Sequence, residues 1–148
     1  MPARFAVRKV RLADLNRILE IESASFGADA YDRNLFAEYL RKCGDLFLAV
    51  ERGGIVRGYL IAGARGPRAE LISVAVDPAA RGAGAASAML ESTLRRLRAR
   101  GVKRLFLTVK TTNLEARAFY AKYAFEFVRR APRYYEDGSD GSLMARDL

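Results

Sequence analysis

The chain of 148 residues contains no histidine and no tryptophan, and only one cysteine, Cys43. Without imidazole, any proton transfer has to use a carboxylate, a tyrosine, a thiol, a lysine or water, and histidine-ligated zinc chemistry is excluded. A single cysteine cannot close an internal disulfide, which agrees with a reducing compartment, and the thiol is expected to be packed rather than reactive. No apolar run approaches the length of a membrane span, and the N-terminus lacks the charged-then-apolar order of a secretory signal, so the cytoplasm is the expected location. Repeats, linkers and low-complexity tails are also missing.

What remains is a chain long enough for one core and too short for two ordinary ones, with 51% apolar residues. Lys and Arg number 26 against 17 acidic residues, a net charge of +9. Such a surplus suits an anionic partner, either a phosphate-bearing small molecule or a nucleic acid or ribosome. The arginines are scattered, however, and no aromatic-interleaved recognition motif accompanies them, so most are read as solvated surface.

The most informative stretch runs from Glu70 to Arg100. Leu71 to Val76 is short, apolar and rich in β-branched residues, and Asp77-Pro78 closes it, the pattern of a buried strand ending in a turn. From Ala85 the apolar residues Ala86, Leu90, Leu94 and Leu97 share one helical face, and Gly101 reads as the C-terminal cap. Between them lies the loop Arg81-Gly82-Ala83-Gly84. A helix start carries unpaired N–H groups and a positive dipole end, and glycines let an anion approach the backbone, so the arrangement predicts a phosphate site; the competing reading is a plain flexible turn. No Lys-Ser/Thr pair follows Gly84, which rules out a P-loop. Ser87 and the ending Val109-Lys110 fit the dinucleotide fingerprint poorly.

Periodicity elsewhere predicts a strand over Arg4–Val10, a helix over Asp14–Phe26, a loop over Phe26–Asp32, and a second helix capped by Asp32 and running to about Cys43. Asp45–Glu51 and Val56–Ala64 read as strands joined at Arg52-Gly53-Gly54, and Gly66-Pro67 marks the next turn. Arg104–Val109 reads as a strand and Asn113–Tyr123 as a short helix, with closing strands over Phe125–Arg130 and Ser142–Arg146. The order β-α-α-β-β-β-α-β-α-β-β is that of a mixed α/β layered fold.

Arg81-Gly82-Ala83-Gly84-Ala85-Ala86, placed just after V-A-V-D-P, resembles motif A of the GNAT superfamily of N-acetyltransferases, Gln/Arg-x-x-Gly-x-Gly/Ala. Downstream, N-L-E-A-R-A-F-Y-A-K-Y-A-F is similar to the family's Asn-x-x-Ala-x-x-x-Tyr-x-x-x-Gly-Phe. The resemblance covers roughly the last two thirds of the chain and the first third less clearly. It implies a single domain over residues 1–148, with a mixed, mostly antiparallel sheet flanked by about four helices and splayed between the strands at Glu70–Val76 and Arg104–Val109. It also implies acetyl-CoA as co-substrate and no metal. The loop and helix start, Arg81, Gly82, Ala83, Gly84, Ala85, Ala86 and Ser87, would hold the phosphates, although Arg81 alternatively faces water. The main chain of Val74, Ala75 and Val76 would bond the pantetheine arm as an added strand would. Asn113 is either a pantetheine contact or a helix cap, and Tyr120 either the acid that protonates the departing thiolate or a core tyrosine. A phenol near pKa ~10 is protonated at neutral pH and can donate to a thiolate whose acid lies near ~8.5.

Within the superfamily, S-F-G-A-D-A-Y and Arg133-Tyr134-Tyr135-Glu136-Asp137-Gly138 resemble the RimI-like branch, which acetylates the α-amino group of protein N-termini. By that resemblance Phe26, Tyr31, Tyr134 and Tyr135 line the acceptor. The branch's usual glutamate base is replaced by Thr108, which cannot serve as a base. Glu70 stands where the histone-acetyltransferase branch has its glutamate, and is either that base or an exposed structural residue. A weak base suffices for an α-amine of pKa near ~8, whose deprotonation at pH 7 costs roughly 1 kcal/mol, against roughly 4–5 for a lysine. The family's glycine before the last Phe is Ala124 here. The expected activity is acetyl transfer to a peptide or protein N-terminus, by direct attack in a ternary complex. A small-molecule amine acetyltransferase or a non-catalytic acyl-CoA sensor are the alternatives.

Overall fold

The computed structural model describes residues 4–27 and 30–148. Two residues of the expected first loop, Ala28 and Asp29, lie outside that range. Seven strands and four α-helices follow the expected order: β1 (Ala6–Lys9), α1 (Leu15–Phe26), α2 (Arg33–Cys43), β2 (Phe47–Arg52), β3 (Ile55–Arg65), β4 (Arg68–Val76), α3 (Ala85–Ala99), β5 (Arg104–Lys110), α4 (Leu114–Lys122), β6 (Glu126–Ala131) and β7 (Gly141–Asp147). They build one sheet in the order β1-β2-β3-β4-β5-β7-β6. Every pairing is antiparallel except β4 with β5. Among the described residues, no helix is long and apolar enough to cross a membrane.

Helices α2 and α4 start where the sequence supplies a side-chain partner for an unpaired N–H group of the first turn. Asp32 Oδ1 accepts from Leu35 N at 2.9 Å, and Asn113 Oδ1 accepts from Ala116 N at 3.1 Å. Ahead of α1, buried Asp14 accepts both arms of the Arg8 guanidinium (2.8 and 3.0 Å) and Arg11 N (2.7 Å), a fork that ties β1 to the helix start.

Apolar residues on the two faces of the sheet make two cores. Ala85, Met89, Leu90, Leu94 and Leu97 of α3 and Tyr120 of α4 pack with Leu71, Leu105 and Leu107 on one face. Leu15, Ile18 and Ile21 of α1 and Phe36 of α2 pack with Phe47, Tyr59, Ile61 and Ala75 on the other.

Several boundaries differ from the sequence reading. β1 is shorter than the expected Arg4–Val10 at both ends. Gly44–Leu46 forms a 3-10 turn, so β2 begins at Phe47 rather than Asp45. The turn at Gly66-Pro67 has only two residues, so Arg65 pairs with Arg68 and β4 begins ahead of Glu70.

Pairing between β4 and β5 covers only Arg68–Arg104, Ala69–Leu105 and Glu70–Phe106. Beyond Glu70 the strands part, while β4 stays bonded to β3 as far as Val76 and β5 to β7 as far as Lys110. The departure has a local cause. Ile61 pairs with Ser73 and Ala62 with Leu71, leaving Ile72 as an extra residue in β4, and a bulge there adds twist two residues after the last contact with β5.

Where the family pattern has glycine, Ala124 keeps the turn by adopting φ +66°. Left-handed backbone costs a residue with a Cβ about 1–2 kcal/mol, and glycine gives back about 0.4–1 through the unfolded chain. Ala124→Gly is therefore expected to raise stability by about 0.5–1 kcal/mol, read as a higher urea midpoint at unchanged m-value.

Candidate active site

The turn from β4 into α3 is set by Asp77. Its carboxylate accepts from Arg17 at 2.6 Å, from Arg57 at 3.0 Å and from Ala79 N at 3.2 Å, and its own N–H reaches Arg57 O at 2.7 Å. Helix α1, strand β3 and the 3-10 turn Pro78–Ala80 thus converge on one side chain. The chain then passes through Gly82 (φ +76°) and Gly84 (φ +95°), conformations that favour glycine, and a Cβ at either would meet nothing within 4 Å. The space over the loop is open.

The first α3 backbone bond outside the helix body runs from Ala88 N to Gly84 O, and the N–H groups from Gly82 to Ser87 donate to no protein acceptor among the described residues. Six neighbouring donors at the positive end of a 15-residue helix fit a diphosphate. Arg81 is turned away from them. Its guanidinium donates to Val76 O and to Ser25 Oγ, both at 3.2 Å, bracing the loop against β4 and α1.

Along β4, antiparallel alternation fixes which groups face the gap. Since Asp77 N bonds to Arg57 O, Ala75 also points its backbone at β3, while Val74 and Val76 point theirs away from it, toward the gap left by β5. Of the three residues expected to offer main-chain groups, two are thus aimed at an added strand, and one carbonyl, Val76 O, already accepts from Arg81.

Tyr120 is 5% exposed, with Phe119 and Phe125 edge-on at 5.2 and 5.5 Å. Burial raises its pKa, so it stays protonated across the physiological range. No protein group bonds its hydroxyl among the described residues, and that atom is not among the buried unpartnered ones, which leaves it able to donate to a ligand.

Glu70 ends the β4–β5 pairing opposite Phe106 and is exposed, with no ion pair among the described residues. It borders a cavity of about 660 Å³ that Cys43, Ile72, Phe106 and Thr108 also line. Tyr135 Oη donates to Thr108 O at 3.4 Å, its ring edge-on to Tyr134 at 4.9 Å. Burial, with Tyr134, Tyr31 and Asp137 nearby, pushes the Tyr135 pKa up to about 12. Tyr31 packs on Phe36 and Tyr39 at 5.7 and 6.1 Å, and burial, then the charges of Tyr39, Glu22, Tyr134 and Glu70, raise its pKa. Tyr31, Tyr134, Tyr135 and Glu70 are therefore neighbours, although the chain brings them from three separate regions. None of the four expected acceptor residues, Phe26 (41% exposed at the end of α1), Tyr31, Tyr134 and Tyr135, is among the residues lining the cavity. A Cβ on Gly141 would come within 2.7 Å of Thr108 Cγ2 and 3.3 Å of Tyr134 Cβ, so the absence of a side chain there lets the tyrosine pair close over β5.

Sequence reasoning missed Tyr39, which packs on Tyr31, and a buried carboxyl, Glu22, bonded to Tyr59. Glu22 is 1% exposed; Tyr59 Oη donates to it, Tyr31 N donates at 3.3 Å, and Ser73 Oγ of β4 lies 2.9 Å from the same phenol oxygen. The available signal was its spacing, since Glu22 falls one turn after Ile18 on the apolar stripe of α1.

A family model described as acetyltransferase (GNAT) family matches residues 13–125. The chain belongs to the GNAT family. It is 26% identical over 144 residues to a putative [ribosomal protein bS18]-alanine N-acetyltransferase of Bacillus subtilis, covering 97% of this chain and 95% of that one. It is 31% identical over 141 residues to the N-alpha-acetyltransferase RimI of Mycobacterium tuberculosis, covering 91% and 87%. Among solved structures, Ard1 from Thermoplasma volcanium superposes with a TM-score of 0.92 at 27% identity, over 97% of each chain. The GNAT assignment makes this an acetyl-CoA-dependent N-acetyltransferase, and the open N–H row and parted sheet are the features of this chain that suit such a donor. Among the described residues no group of three or more His, Cys, Asp or Glu could hold a metal ion.

Burial raises the Glu22 pKa above its ordinary 4.5, against the opposing Tyr59 and Tyr31 bonds. A carboxyl with a raised folded-state pKa contributes stability that is full below pH 4.5 and declines as pH rises through the folded value. Glu22→Gln should flatten that decline. Urea unfolding of both proteins between pH 4.5 and 8 checks it, and equal slopes would show that Glu22 does not hold a proton in the fold.

Proposed function

We infer that the chain transfers an acetyl group from acetyl-CoA to the α-amino group of a peptide or protein N-terminus, as the RimI-like members of its family are named for doing. The observation that carries this reading is the continuity of the site. A row of unpaired amides at the start of α3 is joined by the freed edge of β4 to a cavity bordered by Glu70, a carboxylate with no ion pair among the described residues. Acetyl-CoA, when bound, supplies an acetyl group activated as a thioester.

The residues divide the work as follows. Backbone N–H groups of Gly82, Ala83, Gly84, Ala85, Ala86 and Ser87 hold the diphosphate, and the main chain of Val74 and Val76 orients the arm. Arg81 braces that loop. Asn113, whose Oδ1 is engaged as a helix cap, keeps its NH₂ free to donate. Tyr120, kept neutral by burial, donates a proton to the leaving sulfur. Glu70, directly or through water, takes a proton from the acceptor's ammonium group so that the neutral amine attacks the thioester carbonyl, and Tyr31, Tyr134 and Tyr135 shape the acceptor channel. Thr108 leaves Glu70 as the carboxylate on the cavity wall, which is adequate for an amine already partly neutral at pH 7. The lone cysteine suits work in the reducing cytoplasm.

Mass spectrometry of a panel of peptides with free and blocked N-termini, incubated with acetyl-CoA, tests the acceptor; a product on blocked peptides alone would move the reaction to side-chain amines. Tyr120→Phe is expected to lower kcat by about 10²-fold or more, while coenzyme A still raises the melting midpoint. Glu70→Gln should cost about tenfold at pH 6.5 and less at pH 9, where an α-amine needs no base. Wild-type turnover in Tyr120→Phe would remove that residue from the chemistry.

A further inference from the structure

The wall of the cavity beside Glu70 is strongly cationic: Lys42, Arg65, Arg68, Arg100 and Arg129 line it, against Glu70 as its one carboxylate. Lys42 pairs with Glu38 and Arg100 with Asp45. Arg65, Arg68 and Arg129 have no carboxylate partner among the described residues.

Their placement follows from strand register. The two-residue turn at Gly66-Pro67 sets Arg65 directly opposite Arg68, and the parallel pairing sets Arg68 opposite Arg104, so three guanidinium groups stand in a row on one face of β3, β4 and β5. Like charges directly opposite one another destabilise a sheet, and here only Arg104 is relieved, by Asp147 at 2.8 Å. Arg68 lies over the Phe106 ring at 4.3 Å and Arg104 over the same ring at 5.4 Å, which fixes the row against the rung that carries Glu70. From the far side, Val128 is the extra residue of a bulge between Phe127–Met144 and Arg129–Leu143, and it re-aims β6 where Arg129 reaches the cavity.

Resting on the reading of the acceptor as a peptide α-amine, we propose that this cavity selects N-termini whose next few residues are acidic, with Arg65, Arg68 and Arg129 as the specificity-determining side chains. An amine delivered to Glu70 leaves the following peptide within reach of Arg68, two residues and about 7 Å back along the same strand. A carboxylate at the second or third position of the acceptor meets a guanidinium held flat by Phe106, and a basic residue meets uncompensated like charge. Nucleic acid suits the site poorly: Glu70 sits among the arginines, and the one aromatic ring beside the row is covered by them instead of offering a stacking face.

The test compares peptides of equal length that begin with alanine and continue with aspartate and glutamate, with glycine and serine, or with lysine and arginine. The acidic series is expected to show kcat/KM about tenfold above the neutral series, with the basic series below it and the spread shrinking as salt is raised. In Arg65→Gln/Arg68→Gln, and separately in Arg129→Gln on a different strand, the acidic-to-neutral ratio should fall toward one. A ratio is read within one enzyme preparation, so partial unfolding of a variant does not mimic the result. Equal rates for the three wild-type series, a basic preference, or a ratio that survives both variants would overturn the specificity while leaving α-amine transfer standing. Turnover of no peptide at all would overturn both.

Discussion

Everything at the site depends on two neighbouring strands that stop bonding while remaining in one sheet. β4 and β5 share three residue pairs and then separate, which would expose backbone donors and acceptors at the middle of a sheet unless each strand had another partner. Each has one, β3 for β4 and β7 for β5, so the cost falls only on the two inner edges. Those edges are what a ligand with amide groups can satisfy. The bulge at Ile72 supplies the twist that opens the gap, and it also turns the following residues so that Ser73 meets Tyr59 on the α1 face.

On the proposed function, the anion end and the acceptor end of the gap are built by different physics. At α3, selectivity comes from backbone alone: glycines in left-handed conformations, open space over them and a row of donors, steadied by the ion-paired Asp77 and by Arg81. At the other end it comes from side chains, with Tyr31 and Tyr135 kept neutral by burial on the side of the sheet where Glu70 stands. The division suits a donor that is always the same molecule and an acceptor that varies.

Much of this was readable from residue order. The strand-loop-helix of the central stretch, the caps at Asp32 and Asn113 and the left-handed Gly101 are local features, set by residues within a few positions of one another. What was not readable depends on register and on packing between distant segments. No spacing rule shows that Arg65, Arg68 and Arg104 share a row, because that requires the length of one turn and the alignment of two strand pairs. Nor does composition show that Arg81 turns back to Val76 and Ser25, or that the Glu22 carboxyl is buried under Tyr59. Ala124 is a case between the two: the sequence pointed to the position, and only the backbone angle showed that the turn persists with alanine in it.

The contact between Gly141 and Thr108 has a consequence for how this site can change over time. With 2.7 Å between a notional Cβ at 141 and the Thr108 methyl group, the two positions are sterically linked, and Tyr134 closes the third side. A lineage that restored a longer acidic side chain at 108, as the RimI-like resemblance would place it, could do so only while 141 stayed a glycine or the tyrosine pair drew back. The Glu70 carboxylate on β4 and the bare backbone on β7 are then linked through position 108, and exchanging one alone should be a poorer route than exchanging both.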